Sequence, residues 1–354
     1  MRISYVKNTA AAAFMLLILC VYFGNLEEVM TFVKEAMNMC YTTVIPSLFI
    51  FMVLASFLSC LKYSYILCLP FFPAFRLLKI KDKRLITYIV LGIIGGFACG
   101  GYFLDKIRNE YKCSNNLAGI ISILISNNSP AFVISAVGIS MLGNTYSGIA
   151  LYFSLLFSGF ITAFILSFLF RYDTAVPTKA TSHTASDIID SITAATHSMV
   201  VICGVVIFSY SMCKAISLYT NNPFILLALS GISEVTTGCK FAIELFGKNL
   251  IIVCAVLAFC PLSTFLQIKS FGDNKHFSFK ILWISKLIHI PLSCIILRVV
   301  TNLFPQAFAV ISGSDISVSM HWYSLRVSCM LLVVAICFVL CFDKKIGVFT
   351  NLKK

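Results

Sequence analysis

Ser126-Asn127-Asn128-Ser129-Pro130 stands inside an otherwise apolar run from about 117 to 143, and its reading decides the fold. Pro130 lacks an N–H and restrains Ser129 to extended geometry, so a helix entering from 117 ends near Asn128 and a new one starts at Pro130. In lipid every backbone N–H and C=O needs a partner, so such a break survives only where protein buries it or where it lines a watery cavity. Three further breaks share this character. Gly95-Gly96 with Gly100-Gly101 precedes it, and the second half carries Glu234-Val235-Thr236-Thr237-Gly238 and then Pro261-Leu262-Ser263-Thr264. Matching interruptions in two halves of an apolar chain are the sequence signature of a solute site in a secondary transporter.

Composition requires a membrane setting. The 354 residues are 59% hydrophobic and only 12% charged, against roughly half and a quarter in soluble domains. The net charge of +13 sits in short connections and at the two ends, where orientation by positive cytoplasmic loops puts it, and no basic patch interleaved with aromatics speaks for nucleic acid. The 15 Cys are scattered singly, without metal-ligand spacing, and read as small reduced hydrophobes. Arg2 and Lys7 before the run from Thr9 to Gly24 resemble a secretion signal, but no small-residue cleavage site follows and an uncleaved first span is expected.

Apolar segments lie at about 9–24, 42–61, 64–78, 85–104, 117–143, 145–170, 188–213, 223–246, 250–268, 280–303 and 324–342, each judged against the roughly 20 residues needed to span. The charged stretches at Lys79–Arg84, Arg171–Lys179, Lys269–Lys280 and the Lys344 to Lys354 tail are expected on the cytoplasmic side; Glu27-Glu28 and Asp315 mark external loops. Both termini then lie inside. Counting crossings gives three from 29 to 170, running outside to inside, and three from 186 to 303, running inside to outside. A re-entrant hairpin plus an interrupted helix satisfies that parity in each half. The side of the 105–112 loop stays open, and the 64–78 segment, with Pro70 and Pro73, has no counterpart in the second half.

The expected architecture is an all-α polytopic membrane protein of two inverted repeats with broken helices and re-entrant hairpins. Residues 1–28 form a first span, 29–170 the first repeat, 171–185 a cytoplasmic linker, 186–305 the second repeat, and 306–354 a last span with a basic tail. Ser186, Asp187 and Asp190 suit a helix start after the linker.

The expected substrate-binding residues cluster at the breaks: Gly96, Gly100, Asn127, Asn128, Ser129 and Pro130, then Glu234, Thr236, Thr237 and Gly238, then Ser263 and Gln267. The amides and hydroxyl at 127–129 sit where the chain leaves a helical ladder, beside a helix N-terminus that attracts anions. A carboxylate inside the membrane is costly enough to be a functional candidate, and Glu234 could exchange a coupling proton or hold a cation; alternatively it pairs with Lys240 or a backbone amide. His197 and His289 read as packed, hydrogen-bonded histidines, and Lys214, Lys286 and Arg298 as residues near span ends that snorkel. No hydrolase, phosphate-loop or zinc signature is present, so no enzyme and no cofactor is expected.

Gly92-Ile93-Ile94-Gly95-Gly96-Phe97-Ala98-Cys99-Gly100, Asn127-Asn128-Ser129-Pro130-Ala131-Phe132, Gly231-Ile232-Ser233-Glu234-Val235-Thr236-Thr237-Gly238, and Leu262-Ser263 with Gln267 resemble the successive signatures of the YlbJ-type sporulation integral membrane proteins. These belong to the nucleoside-recognition, or Gate, domain family. The similarity runs from about 30 to 300, and Glu-x-Thr-x-Gly is its most specific element. Ala98, Tyr102 and Phe265 stand where the family usually has a proline, a basic residue and a histidine. The resemblance implies a multi-pass protein of a bacterial inner or forespore membrane needed for spore formation. It also implies a permease for a small polar or anionic solute, with dipicolinate and nucleosides the solutes it suggests. A non-transporting scaffold or partner subunit, and an oligomer, are the other expectations.

Overall fold

The computed structural model describes residues 2–61, 63–173, 175–177, 188–265, 279–304 and 316–317. The 324–342 segment, Gln267, Asp315, Ser186 and Asp187 lie outside them. The protein is a helical, multi-pass membrane protein. Four helices among the described residues are long and apolar enough to cross a bilayer: Leu26–Ser59, Thr145–Leu169, Ile188–Ser217 and Lys280–Leu303.

The chain opens with α1 (Arg2–Gly24) and α2 (Leu26–Met39), which passes through a π-helical turn at Cys40–Val44 into α3 (Ile45–Cys60). Glu27 and Glu28, expected in an external loop, lie instead in the first turn of α2, where the positive end of the helix dipole favours carboxylates. The span expected from 42 therefore begins at Leu26. The 64–78 segment does not span: it forms a 3₁₀ stretch (Ser64–Phe71) and the short α4 (Phe72–Leu77).

Next comes α5 (Lys83–Glu110), which is not one rod. Gly96 has φ 73° and ψ −165°, a region open essentially to glycine alone, and there the helix folds back on itself. Arg84 reaches Glu110 at 3.4 Å and Tyr88 stacks on Phe103 at 5.9 Å; a straight helix would hold the first pair about 39 Å apart. The arms of this hairpin return to one end of the bundle. There Tyr111 of β1 (Tyr111–Lys112) pairs with Pro177 of β2 (Val176–Pro177), and its hydroxyl donates to Asp82 at 2.7 Å. The 105–112 loop thus lies beside the basic 79–84 stretch.

After it, α6 (Asn115–Ile125), the break at 126–129 and a π-helical segment (Phe132–Met141) run antiparallel along α7 (Thr145–Leu169). Asn116 Nδ2 donates to the Arg171 carbonyl beyond one end of α7, Asn127 faces Gly159 near its middle, and Gly138 meets Gly148 near its start. This element crosses the whole layer with an interruption halfway.

The second half presents the same order. Following α8 (Ile188–Ser217), α9 (Pro223–Ser233) and α10 (Val235–Phe246) form a hairpin whose tip is Glu234. Phe224 and Phe246 rings stand 5.7 Å apart at its base. Gly231 and Gly238 touch near its tip, where any Cβ on Gly238 would sit 2.8 Å from the Gly231 Cα. Then β3 (Lys248–Asn249), paired in parallel with β4 (Ile316–Ser317), leads into α11 (Leu250–Phe259), a break at Cys260-Pro261 and a short helical turn at 262–265. This run lies antiparallel to α12 (Phe279–Leu303), as the approaches of Cys294 to Ile251, His289 to Ala258 and Trp283 to Phe265 show.

The centre is apolar all round, as a helix buried on every side must be. Every residue of α11 and every residue of α6 from Leu117 is buried. The long helices enclose them and turn side chains such as Leu54, Phe157 and Val200 outward. The base of the first hairpin lies near the end of α7, where the Tyr172 hydroxyl donates to the Leu78 carbonyl at 2.6 Å. The base of the second lies near its start, where Lys248 borders Gly143.

Candidate functional site

Each tip and each break ends inside the protein, and they meet. A partly open pocket of about 440 Å³, counting the space at its mouth, is lined by Gly95, Gly96 and Phe97 from the first tip and by Asn128, Ser129 and Phe132 from the first break. Glu234, Val235 and Thr236 come from the second tip, and Ser263 and Thr264 from the second break. Leu48, Met52 and Ile202 of the long helices complete an apolar wall.

Glu234 is 3% exposed. Its φ of −157° ends α9, and its side chain caps α10: one carboxylate oxygen accepts the Thr237 N–H at 2.7 Å and the other accepts the Thr236 hydroxyl at 3.0 Å. Lys240 is not its partner. That ammonium, six residues farther along the chain, lies over the Tyr210 ring at 4.4 Å. The same carboxylate therefore holds the hairpin tip and faces the pocket.

Asn128 joins the halves. Its Nδ2 donates to the Leu257 carbonyl at 2.8 Å, which the break at Cys260 deprives of a helical partner, and its Oδ1 has no partner among the described residues. Ser129 accepts the Phe132 N–H at 3.1 Å and so starts the π-helical segment, leaving its own hydroxyl proton to offer. His289 lies between two carbonyls, its Nδ1 3.3 Å from the Ala258 oxygen and its Nε2 3.2 Å from that of Leu155; a neutral ring donates to one of them, and with the proton on Nδ1 that one is Ala258 beside the break. A buried polar group left unpaired costs about 1–3 kcal/mol, so these side chains are what makes the second break tolerable.

Of the residues expected from the sequence, Gly96, Asn128, Ser129, Glu234, Thr236 and Ser263 line the pocket. Five others stand just behind its wall. Gly100 backs onto the Ile125 carbonyl, Asn127 points at Gly159, and Pro130 begins the helix that Ser129 caps. Thr237 gives its N–H to Glu234, and Gly238 packs on Gly231. Gln267 is outside the described residues.

Lys286, expected to snorkel from a span end, is instead 1% exposed inside α12. It lies within electrostatic reach of Cys260 and His289, at the negative end of α11. Thr264, Leu48, Met52, Phe132 and Ile202 were not among the expected lining residues. Thr264 follows Ser263 directly and could have been read with it, whereas an apolar residue on a plain span carries no mark of which face it shows.

A second cavity shares α10 and the Phe132–Met141 segment with the first, about 10 Å along α10 at the 1.5 Å rise per residue. It is lined by Glu35, Asn38, Thr42, Ser140, Lys240 and Glu244, among others. Tyr210 donates to Glu35 at 2.8 Å, and Lys214 pairs with Glu244 at 3.0 Å. These contacts tie α2, α8 and α10 together, with buried Val44, Ala136 and Cys239 between the two cavities.

Comparison with known proteins gives no match: no family model, no curated protein and no solved structure aligns with the chain.

Proposed function

We propose that this chain is a secondary permease for a small polar solute, working by alternating access between two inverted halves. The observation that carries the reading is the convergence of four chain breaks, Gly96, Asn128-Ser129, Glu234 and Ser263, on one pocket. Unwound backbone at bilayer depth is what transporters use to bind their cargo. Two hairpins based near opposite ends of α7 are the arrangement that an inverted repeat produces.

The chemistry of the lining selects among solutes. The described lining residues supply one carboxylate, a free amide oxygen and several hydroxyls, and none supplies a cation. A neutral solute rich in N–H and O–H donors, of the nucleoside or nucleobase kind, matches that set. A doubly charged anion such as dipicolinate would have to lean on Lys286 behind the Cys260 break. Glu234 is the natural seat of a coupling proton or cation. Placement in a bacterial inner or forespore membrane, with both termini cytoplasmic and a role in spore formation, rests on the resemblance to YlbJ-type proteins.

Purified protein in lipid vesicles, offered a nucleoside and dipicolinate side by side, tests the reading. Uptake of the nucleoside that Glu234→Gln abolishes is the expected result. Neither solute being moved nor bound, with Asn128→Ala and Glu234→Gln behaving as wild type in the cell, would mean a membrane scaffold instead.

A further inference from the structure

The 64–78 segment, which has no counterpart in the second half and no part in the pocket, builds a second site with the end of α7. We propose that this site seats the headgroup of an anionic phospholipid, its phosphate held between Lys79 and Arg171. The inference is independent of transport.

A cavity of about 1230 Å³, including its open mouth, separates the turn after α4 from the end of α7; Leu77, Lys79, Phe168, Arg171, Tyr172 and Asp173 border it. Its two sides differ in character. Leu77 and Phe168 are 66% and 68% exposed, apolar surface of the kind that acyl chains cover. Lys79 and Arg171 stand beside them, and among the described residues neither forms an ion pair. An amphipathic interfacial stretch with cations next to exposed apolar side chains is how proteins grip anionic headgroups. Arg76, Lys81 and Lys83 surround the turn and add to its field.

The seat is also built rather than accidental. Lys79 has φ 55°, a left-handed conformation that residues other than glycine seldom adopt. It is held there by its own N–H donating to the Arg76 carbonyl and by the Ile80 N–H donating to that of Phe75, each at 3.0 Å. The Tyr172 hydroxyl fastens the opposite wall to Leu78 at 2.6 Å, and Asn116 holds the Arg171 carbonyl at 2.8 Å. Asp173, the carboxylate on the same cavity, opposes a second anionic group and accepts a hydroxyl or ammonium proton. The headgroup that fits carries one net negative charge.

The test is native mass spectrometry of the full chain released from membranes containing equal phosphatidylglycerol and phosphatidylcholine. Wild type should retain the anionic lipid at least ten-fold over the zwitterionic one. Lys79→Gly with Arg171→Gln removes both cations, and the glycine suits the left-handed turn, so folding is spared. Affinity should fall about 25-fold, at roughly five-fold per cation near an anionic surface. The charge-matched pair Lys248→Gln with Arg298→Gln, toward the opposite end of α7, should stay within about three-fold of wild type, since general attraction falls off within a Debye length. No preference in wild type, an equal loss in the charge-matched control, or displacement of the lipid by millimolar glycerol phosphate would each overturn the proposal.

Discussion

The two hairpins turn around at the same depth by opposite means. At Gly96 the chain reverses through a left-handed residue with no side chain, and the turning residue presents only backbone to the pocket. At Glu234 it reverses through an extended residue, and the side chain both caps the next helix and reaches the pocket. One tip is therefore purely a matter of shape, while the other joins shape to charge. Mutation should separate these two kinds of effect.

The largest effect belongs to the glycine tip. A Cβ on Gly96 would lie 2.9 Å from the Ser129 Cβ and 3.0 Å from its backbone nitrogen, in a conformation that itself costs about 1–3 kcal/mol. Gly96→Ala is expected to cost more than about 3 kcal/mol, read as a collapse of the thermal midpoint in detergent; a stable Gly96→Ala protein would show that the turn is not left-handed.

Next stands Asn128→Ala. It strips the Leu257 carbonyl of its donor and should cost about 1–3 kcal/mol, with a similar loss for His289→Ala and little additivity between them, because both repair the same break. Full additivity in a double-mutant cycle would deny that shared role.

Glu234 offers the sharpest contrast. Glu234→Ala removes a cap and should cost about 0.5–2 kcal/mol, whereas Glu234→Gln keeps an oxygen for the Thr237 N–H and should lose under about 1 kcal/mol while stopping uptake. If Glu234→Gln transports normally, the carboxylate is a cap and nothing more, and the two tips are alike after all.

The smallest effect lies away from both tips. Tyr111→Phe gives up one hydrogen bond to Asp82 at the hairpin base, worth about 0.5–1.5 kcal/mol, and should leave uptake unchanged.

The breaks were legible in the sequence because proline, paired asparagines, adjacent glycines and a lone carboxylate are conspicuous in an apolar run. Less legible was which way the chain goes after each one. Lys83–Glu110 and the run from Asn115 to Met141 look alike in hydropathy, yet the first folds back and the second passes through. What separates them is the backbone at one residue, φ 73° at Gly96, against a proline that restarts a helix in line. Glu27-Glu28 suggested a loop because acidic pairs usually lie in water; helix starts attract them equally. The bonds that hold the halves together, Asn128 to Leu257 and His289 to Leu155, join residues far apart in the chain, so neither spacing nor periodicity could have announced them.

The π-helical turns at Cys40–Val44 and Phe132–Met141 pack against one another, on the path between the charged cavity and the central one. A π turn contains one residue more than an α turn, a slack link in an otherwise taut spiral. Sliding that link along by one position turns the residue it passes by about 100° and shifts it about 1.5 Å, the screw step of a single residue, while the helix beyond keeps its place. Two such links in contact place the one-residue slack of both helices at a single point of the bundle, beside buried Val44 and Ala136.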